Sequence, residues 1–207
     1  MNAVKLSLYE LKPRFQALLR PAVRALADKG VTANQVTVLA AVGSVALGAV
    51  LTVWGGATRW LFLLLPAWFL LRMALNAADG MLAREFGQKS RLGAYLNELC
   101  DVVADAALYL PFALVMPWGV PGIAAIIFLA TVTEFAGVLG TMIGGERRYD
   151  GPMGKSDRAL VFAALGAWIG FGCSLSAWAG LFWPVLALLL VLNIVNRVRA
   201  GLASVKS

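Results

Sequence analysis

Residues 76–105 read NAADGMLAREFGQKSRLGAYLNELCDVVAD, and this stretch decides how the rest of the chain is read. Acids and amides recur at helical spacing inside two segments that are otherwise apolar enough to cross a membrane. Residues three, four and seven apart share a helix face. Asn76, Asp79 and Ala83 therefore line one stripe, with Gly80 beside them, and Gly93, Asn97, Asp101 and Asp105 line another. A charged side chain inside a bilayer costs roughly 2.5–3.5 kcal/mol on insertion scales, so Asp79, Asp101 and Asp105 would together cost on the order of 8–10 kcal/mol if uncompensated. A divalent cation is an obvious partner. Oxygen ligands in a chain without histidine suit magnesium, manganese or calcium.

The composition agrees with a membrane setting. Of 207 residues, 60% are hydrophobic and 14% charged, where a soluble domain carries about 25% charged residues. The mean hydropathy is positive. One all-α integral membrane protein is expected. Cys100 and Cys173 make no disulfide framework. No cleavable leader is expected, since the first apolar run begins after residue 30.

Six segments are long enough to span: 34–54, 60–83, 92–116, 119–143, 158–176 and 179–198. Backbone groups in lipid must be satisfied within their own segment, so all are expected to be helices. Basic residues orient the bundle. Lys5, Lys12, Arg14, Arg20, Arg24 and Lys29 precede the first span; Arg84, Lys89 and Arg91 follow the second; Arg147, Arg148, Lys155 and Arg158 follow the fourth; Arg197, Arg199 and Lys206 follow the sixth. The opposite loops hold only Arg59. Both termini are thus expected in the cytoplasm. The net charge of +7 reads as attraction to anionic membrane lipids, with no nucleic-acid partner. Residues 1–31 read as a cytoplasmic or interfacial amphipathic segment, 32–200 as a six-transmembrane-helix domain, and 201–207 as a cytoplasmic tail. In the first, Leu8, Leu11, Phe15, Leu18 and Leu19 can share a face, and Pro13 and Pro21 are expected to divide it into short interfacial amphipathic helices. A solvated basic tail is the other reading.

Both polar stripes lie toward the cytoplasmic side. At 1.5 Å per residue, Asp79 is about 9 Å inside Glu85 and Asp101 about 15 Å inside Arg91. A short loop joins the second and third spans, which are expected to be antiparallel neighbours with their stripes facing. Gly80, Ala83 and Gly93 leave room for a bulky group, and Arg84 stands at the mouth, where it can hold a phosphate. Carboxylates, a divalent ion, small residues and an arginine together suggest a nucleotide diphosphate substrate. Ordinary helix packing is the alternative for each glycine taken alone.

The stretch resembles the signature of the CDP-alcohol phosphatidyltransferase family, Asp-x2-Asp-Gly-x2-Ala-Arg-x8-Gly-x3-Asp-x3-Asp, with matching spacing from position 76 to 101. Thr32-Ala33-Asn34 resembles the family's Thr-Pro-Asn, and Gly154-Lys155 its basic acceptor-side motif. The opening LYELKPRFQALLRP and the amides at 76 and 97 look most like a little-characterised bacterial inner-membrane subgroup. The resemblance implies a six-helix membrane fold and transfer of a phosphatidyl group from a CDP-linked lipid, usually CDP-diacylglycerol, to an alcohol, with CMP leaving. It implies one or two Mg²⁺ or Mn²⁺ ions held by Asn76, Asp79, Asn97 and Asp101, with Asp101 also the general base. Asn34, Gly80, Ala83, Arg84 and Gly93 would bind the nucleotide of the donor.

The first and third signature aspartates are Asn76 and Asn97 here. Each amide keeps an oxygen ligand but loses a charge, so the site attracts divalent cations less strongly. Three outcomes follow: one metal where relatives hold two, restoration of charge by Asp105 or Glu98, or loss of catalysis. A catalytically impaired CDP-lipid-binding protein is therefore one competing function. An ion-coupled transporter is another, since intramembrane acids also mark ion paths. The signature spacing and the lack of inverted repeats argue against the transporter.

Four cations crowd the loop GGERRYDGPMGKSDR. Ordinary positive-inside charge explains several of them. Arg148, Lys155 and Arg158 are also expected to close on a phosphorylated acceptor such as glycerol 3-phosphate or inositol phosphate. Arg72 and Glu134 are expected to pair with each other inside the membrane, or to line the substrate cavity. Asn193 and Asn196 are expected as interhelical hydrogen-bonders, and Gly166 to Gly170 has the GxxxG spacing of a homodimer contact or of packing within the chain.

Overall fold

The computed structural model describes residues 8–115, 119–173 and 177–205, with the side chains of 8–13, 177 and 178 outside the description. Among these residues the chain is helical: α1 Leu8–Asp28, α2 Ala33–Trp54, α3 Leu64–Glu85, α4 Arg91–Tyr109, α5 Gly119–Met142, α6 Lys155–Gly170 and α7 Phe182–Ser204. Short 3-10 turns, Arg59–Leu63, Leu110–Leu114 and Ala177–Leu181, precede α3, follow α4 and precede α7. Lys5, Lys206 and the last residues of the expected third and fifth spans (116 and 174–176) lie outside the described residues.

Four stretches are long and apolar enough to cross a membrane: Ala33–Trp54, Arg59–Glu85, Gly119–Met142 and Ala179–Ser204. The other two expected spans, α4 and α6, are helices without that character. Arg91, Glu98, Asp101 and Asp105 interrupt α4, and Pro111 turns its continuation into a 3-10 turn. Helix α6 has 16 residues. It closes at Gly172, whose φ of 75° frees the Gly172 and Cys173 amides to bond back to Ile169 and Trp168.

Helix α1 is one helix of 21 residues, where Pro13 and Pro21 were expected to divide it. Packing on α3 outweighs their local cost. Val23 is buried against α2 and α3 with Leu19 and Ala27 beside it, and Arg20 donates twice to Glu85 at 3.1 Å. Leu18, on the face expected to meet the membrane, is exposed.

Small residues set the helix spacing. Helix α4 packs on α2, and α2 on α3. A Cβ at Gly48 would collide with the Ala107 carbonyl, so glycine is what lets α2 and α4 approach. The antiparallel α3 and α4, expected to face each other directly, have next to no backbone contact, because α2 lies against both. Gly166 and Gly170 are filled from within the chain: a Cβ at either would stand 2.9 Å from Leu65 or 2.6 Å from Leu63. The GxxxG spacing thus serves α6 packing on α3 and its preceding turn. Tyr109 stacks on Phe162 at 3.8 Å, and Phe112 meets Phe162 edge-on at 5.1 Å, in the apolar half of the bundle.

Charges hold the other half. Arg158, fully buried, donates through Nη2 to Asp105 (3.0 Å) and Glu134 (2.9 Å). Arg72 donates to Asp105 at 2.5 Å and to Asp101 at 3.3 Å. Glu134 also accepts from Arg147 (3.1 Å) and Arg197 (3.3 Å). Arg72 and Glu134 are both paired, but not with each other as expected. They sit in one network that joins α3, α4, α5, α6 and α7.

Two stability results are expected in a reversible SDS titration of the detergent-solubilised protein. Gly48→Val overpacks the α2–α4 contact and lowers unfolding free energy by about 1–3 kcal/mol. Arg158→Ala removes a buried guanidinium that Asp105 and Glu134 share, leaving each with its other arginines, and costs about 3 kcal/mol, the low end for a broken buried pair, whereas Arg148→Ala, which breaks a more exposed pair with Asp150, costs less than about 1 kcal/mol.

Candidate functional site

The α2 start is fixed by hydrogen bonds that its sequence dictates. Thr32 caps the helix: its hydroxyl accepts from the Gln35 amide (3.2 Å), and its own amide donates to the Gln35 side chain (2.8 Å). The Ala33 amide donates to Gln88 Oε1 at 2.7 Å, which ties the α3–α4 loop to the same point. Asn34 is thereby set against α4. A Cβ at Gly93 would lie 2.8 Å from Asn34 Oδ1, so glycine is what admits the amide there. A Cβ at Gly80 would meet the Arg84 guanidinium at 2.9 Å, so Arg84 folds back over its own helix. Arg84 is exposed and Ala83 half-buried.

Asp79 is buried and accepts from the Thr37 hydroxyl at 2.7 Å. It lies within electrostatic reach of Asp101 and Lys155. Asp101 is partly accessible, and its carboxylate pairs with Lys155 on one oxygen and Arg72 on the other. Arg72 also donates to the Asp101 carbonyl at 3.2 Å. Asn76 and Asn97 are half-buried, on the stripes of Asp79 and Asp101 respectively.

Lys155 is delivered by a strained loop. Met153 has a φ of 57°, the only positive value at a non-glycine among the described residues. Arg158 Nη1 donates to the Met153 carbonyl (3.2 Å), and Asn193 Nδ2 donates to the Pro152 carbonyl (2.6 Å). Asn193 thus holds the loop rather than another helix, and Asn196 is exposed. The Gly154 amide donates to Asp157 at 3.0 Å, starting α6 with Lys155 as its first residue.

The cations expected to meet the acceptor already have anionic partners. Lys155 has Asp101, Arg158 has Asp105 and Glu134, and Arg148 donates to Asp150 at 2.9 and 3.0 Å. Those bonds from Arg148 hold the Asp150 carboxyl below the usual range. The acids that stood to restore the missing site charge are engaged as well: Asp105 by Arg72 and Arg158, and Glu98 by Arg147 at 2.7 Å. Among the described residues, no three acids, cysteines or histidines gather as a metal cluster. Asn76 and Asp79 on α3 and Asn97 and Asp101 on α4 supply two carboxylates and two amides. That all-oxygen donor set fits a hard divalent cation with low site charge.

Three participants escaped the sequence reading. Thr37 lies three residues after Asn34 on one face of α2, a spacing that could have found it. Gln88 had no local signal. Arg197, almost fully buried, looked like positive-inside charge, yet it continues the buried face Leu186, Leu190, Asn193 at helical intervals. Its Nη1 donates to the Thr133 carbonyl at 2.5 Å.

The chain is 44% identical over 197 residues to an Escherichia coli K12 inner membrane protein, YnbA, covering 95% of this chain and 97% of that one. It is 27% identical over 193 residues to a phosphatidylinositol phosphate synthase of Mycobacteroides abscessus, covering 89% of this chain and 80% of that one. Its fold matches the crystal structure of Mycobacterium tuberculosis phosphatidylinositol phosphate synthase (PgsA1), in complex with manganese and citrate. The TM-score is 0.72 at 21% identity, covering 89% of this chain and 88% of that one. Residues 30–195 match the CDP-alcohol phosphatidyltransferase family, and the chain belongs to it.

Proposed function

We propose that this protein transfers a phosphatidyl group from CDP-diacylglycerol, or a closely related CDP-linked lipid, to an alcohol, with release of CMP. The observation that carries the reading is the set of contacts that hold the site residues: Thr37 on Asp79, Arg72 and Lys155 on Asp101, Asn34 against Gly93 and Arg84 over Gly80. In this reading the cytidine rests against the small residues Gly80, Ala83 and Gly93, and Arg84 holds a phosphate. Asn76, Asp79, Asn97 and Asp101 are the residues that would hold Mg²⁺ or Mn²⁺, and a divalent ion there supplies charge neutralisation for the diphosphate. Thr37 orients Asp79 through its hydroxyl. Arg72 and Lys155 orient Asp101, whose carboxylate takes the proton of the acceptor hydroxyl. The acceptor oxygen bonds to the lipid-side phosphorus, the bond to the CMP oxygen breaks, and CMP carries away the electron pair.

The setting proposed is a bacterial inner membrane, which the E. coli relative's name also specifies. Helices α4 and α6 cross with the four apolar spans, both termini face the cytoplasm, and α1 lies on the anionic leaflet. At 16 residues α6 is about 24 Å long, short for a ~30 Å core, and the turns at its ends make up part of the difference. A second reading, CDP-lipid binding without turnover, rests on the amides at 76 and 97.

Purified protein supplied with CDP-diacylglycerol, Mn²⁺ and a panel of alcohols is expected to release CMP and form a new lipid in equal amounts. EDTA is expected to stop both, and Asp101→Asn to lower kcat by roughly 10²- to 10⁴-fold, the range of a lost general base. Tight CDP-lipid binding without CMP release would favour the second reading. Asn76→Asp restores a carboxylate and is expected to lower the Mn²⁺ concentration needed for half-maximal rate; an unchanged requirement would remove Asn76 from the ligand set.

A further inference from the structure

We infer that Glu134 closes an arginine cluster to outside anions, and that the acceptor this protein selects is an alcohol without a phosphate group. The inference rests on the transferase reading and names the substrate class of the same site. Glu134 on α5 receives guanidinium groups from three separate places: Arg147 in the α5–α6 loop (3.1 Å), Arg158 on α6 (2.9 Å) and Arg197 on α7 (3.3 Å). Three guanidiniums around one carboxylate is the donor arrangement that a phosphate would otherwise use. Here the anion is part of the chain, so a free phosphate must displace it as well as shed its own water.

Space and charge point the same way. The cavity beside Arg158 and Glu134 is about 10 Å³ and is lined by Asp105 and Tyr109, which is room for one water and far short of a phosphate. Toward Asp101, the remaining cations are also matched. Lys155 pairs with Asp101, and Arg72 with Asp101 and Asp105. A phosphorylated acceptor would have to take these cations from carboxylates that already hold them, whereas an uncharged hydroxyl needs only hydrogen bonds. The sequence pointed instead to a phosphorylated acceptor on Arg148, Lys155 and Arg158, and the names of two relatives point there too. The pairing of every one of those cations with a carboxylate of this chain is the ground for departing from them.

Two measurements test this. The first needs no turnover: thermal unfolding of the detergent-solubilised full chain is followed against inorganic phosphate, with chloride of equal ionic strength as control. Wild type is expected to show no phosphate-specific stabilisation, and Glu134→Gln to gain a saturable one. Phosphate-specific stabilisation of wild type, or a folded Glu134→Gln without any gain, would overturn the inference; wild type alone decides if the variant does not fold. The second measures CMP release with matched acceptors, glycerol against glycerol 3-phosphate and inositol against inositol phosphate. Wild type is expected to prefer the unphosphorylated member by roughly a hundredfold or more in kcat/KM, the scale set by breaking a buried ion pair. Preference for the phosphorylated member overturns it. CMP release with no acceptor at all would sink the transferase reading, and the phosphate titration would still decide whether the cluster is closed.

Discussion

Arg158 shares one guanidinium nitrogen between Asp105 on α4 and Glu134 on α5, and the polar half of the bundle is built around that sharing. Buried charge in a low-dielectric bundle is tolerated only when paired and hydrogen-bonded. Pairing therefore fixes geometry. Arg158 locks α6 against α4 and α5, Arg197 locks α7 to α5, and Arg72 spans the space between α3 and α4. The same pairs reach the candidate site, because Arg72 contacts both Asp105 and Asp101. Glu134, on the next helix in the chain, is thus connected to the carboxylate that the proposed chemistry needs.

Much of this was legible from the sequence where the signal is local. The stripes Asn76–Asp79 and Gly93–Asn97–Asp101 lie within 26 residues, and spacing alone put each on one helix face. Hydropathy marked α2, α3, α5 and α7 because those helices are apolar along most of their length and leave most of that surface unburied within the chain. Partner choice was not legible. Arg72 and Glu134 are equally plausible mates for several residues by depth, and only the placement of α6 and α7 gives Asp105 to Arg72 and Glu134 to Arg147, Arg158 and Arg197. Arg197 carried a second, misleading signal, since a basic residue after the last span reads as topology. The continuity of α1 across Pro13 and Pro21 depends on Val23 and Arg20 meeting α3, a long-range fact that a local rule cannot contain.

The amides at 76 and 97 acquire a physical meaning from this arrangement. Asp105 and Glu98, the nearest acids that could have replaced the lost charges, are committed to arginines. The two stripes therefore keep two carboxylates, and Lys155 stands against one of them. A site of that charge is suited to a cation that arrives together with an anionic diphosphate more than to one held tightly beforehand.

The central claim is that α3 and α4 jointly form one hard-cation site. Electron paramagnetic resonance titration of Mn²⁺ into the purified full chain with CDP-diacylglycerol present tests it most directly. Saturable Mn²⁺ binding that is lost in Asp79→Asn and equally in Asp101→Asn is the result the account predicts. Binding that survives intact in either variant, with the protein folded, would contradict it.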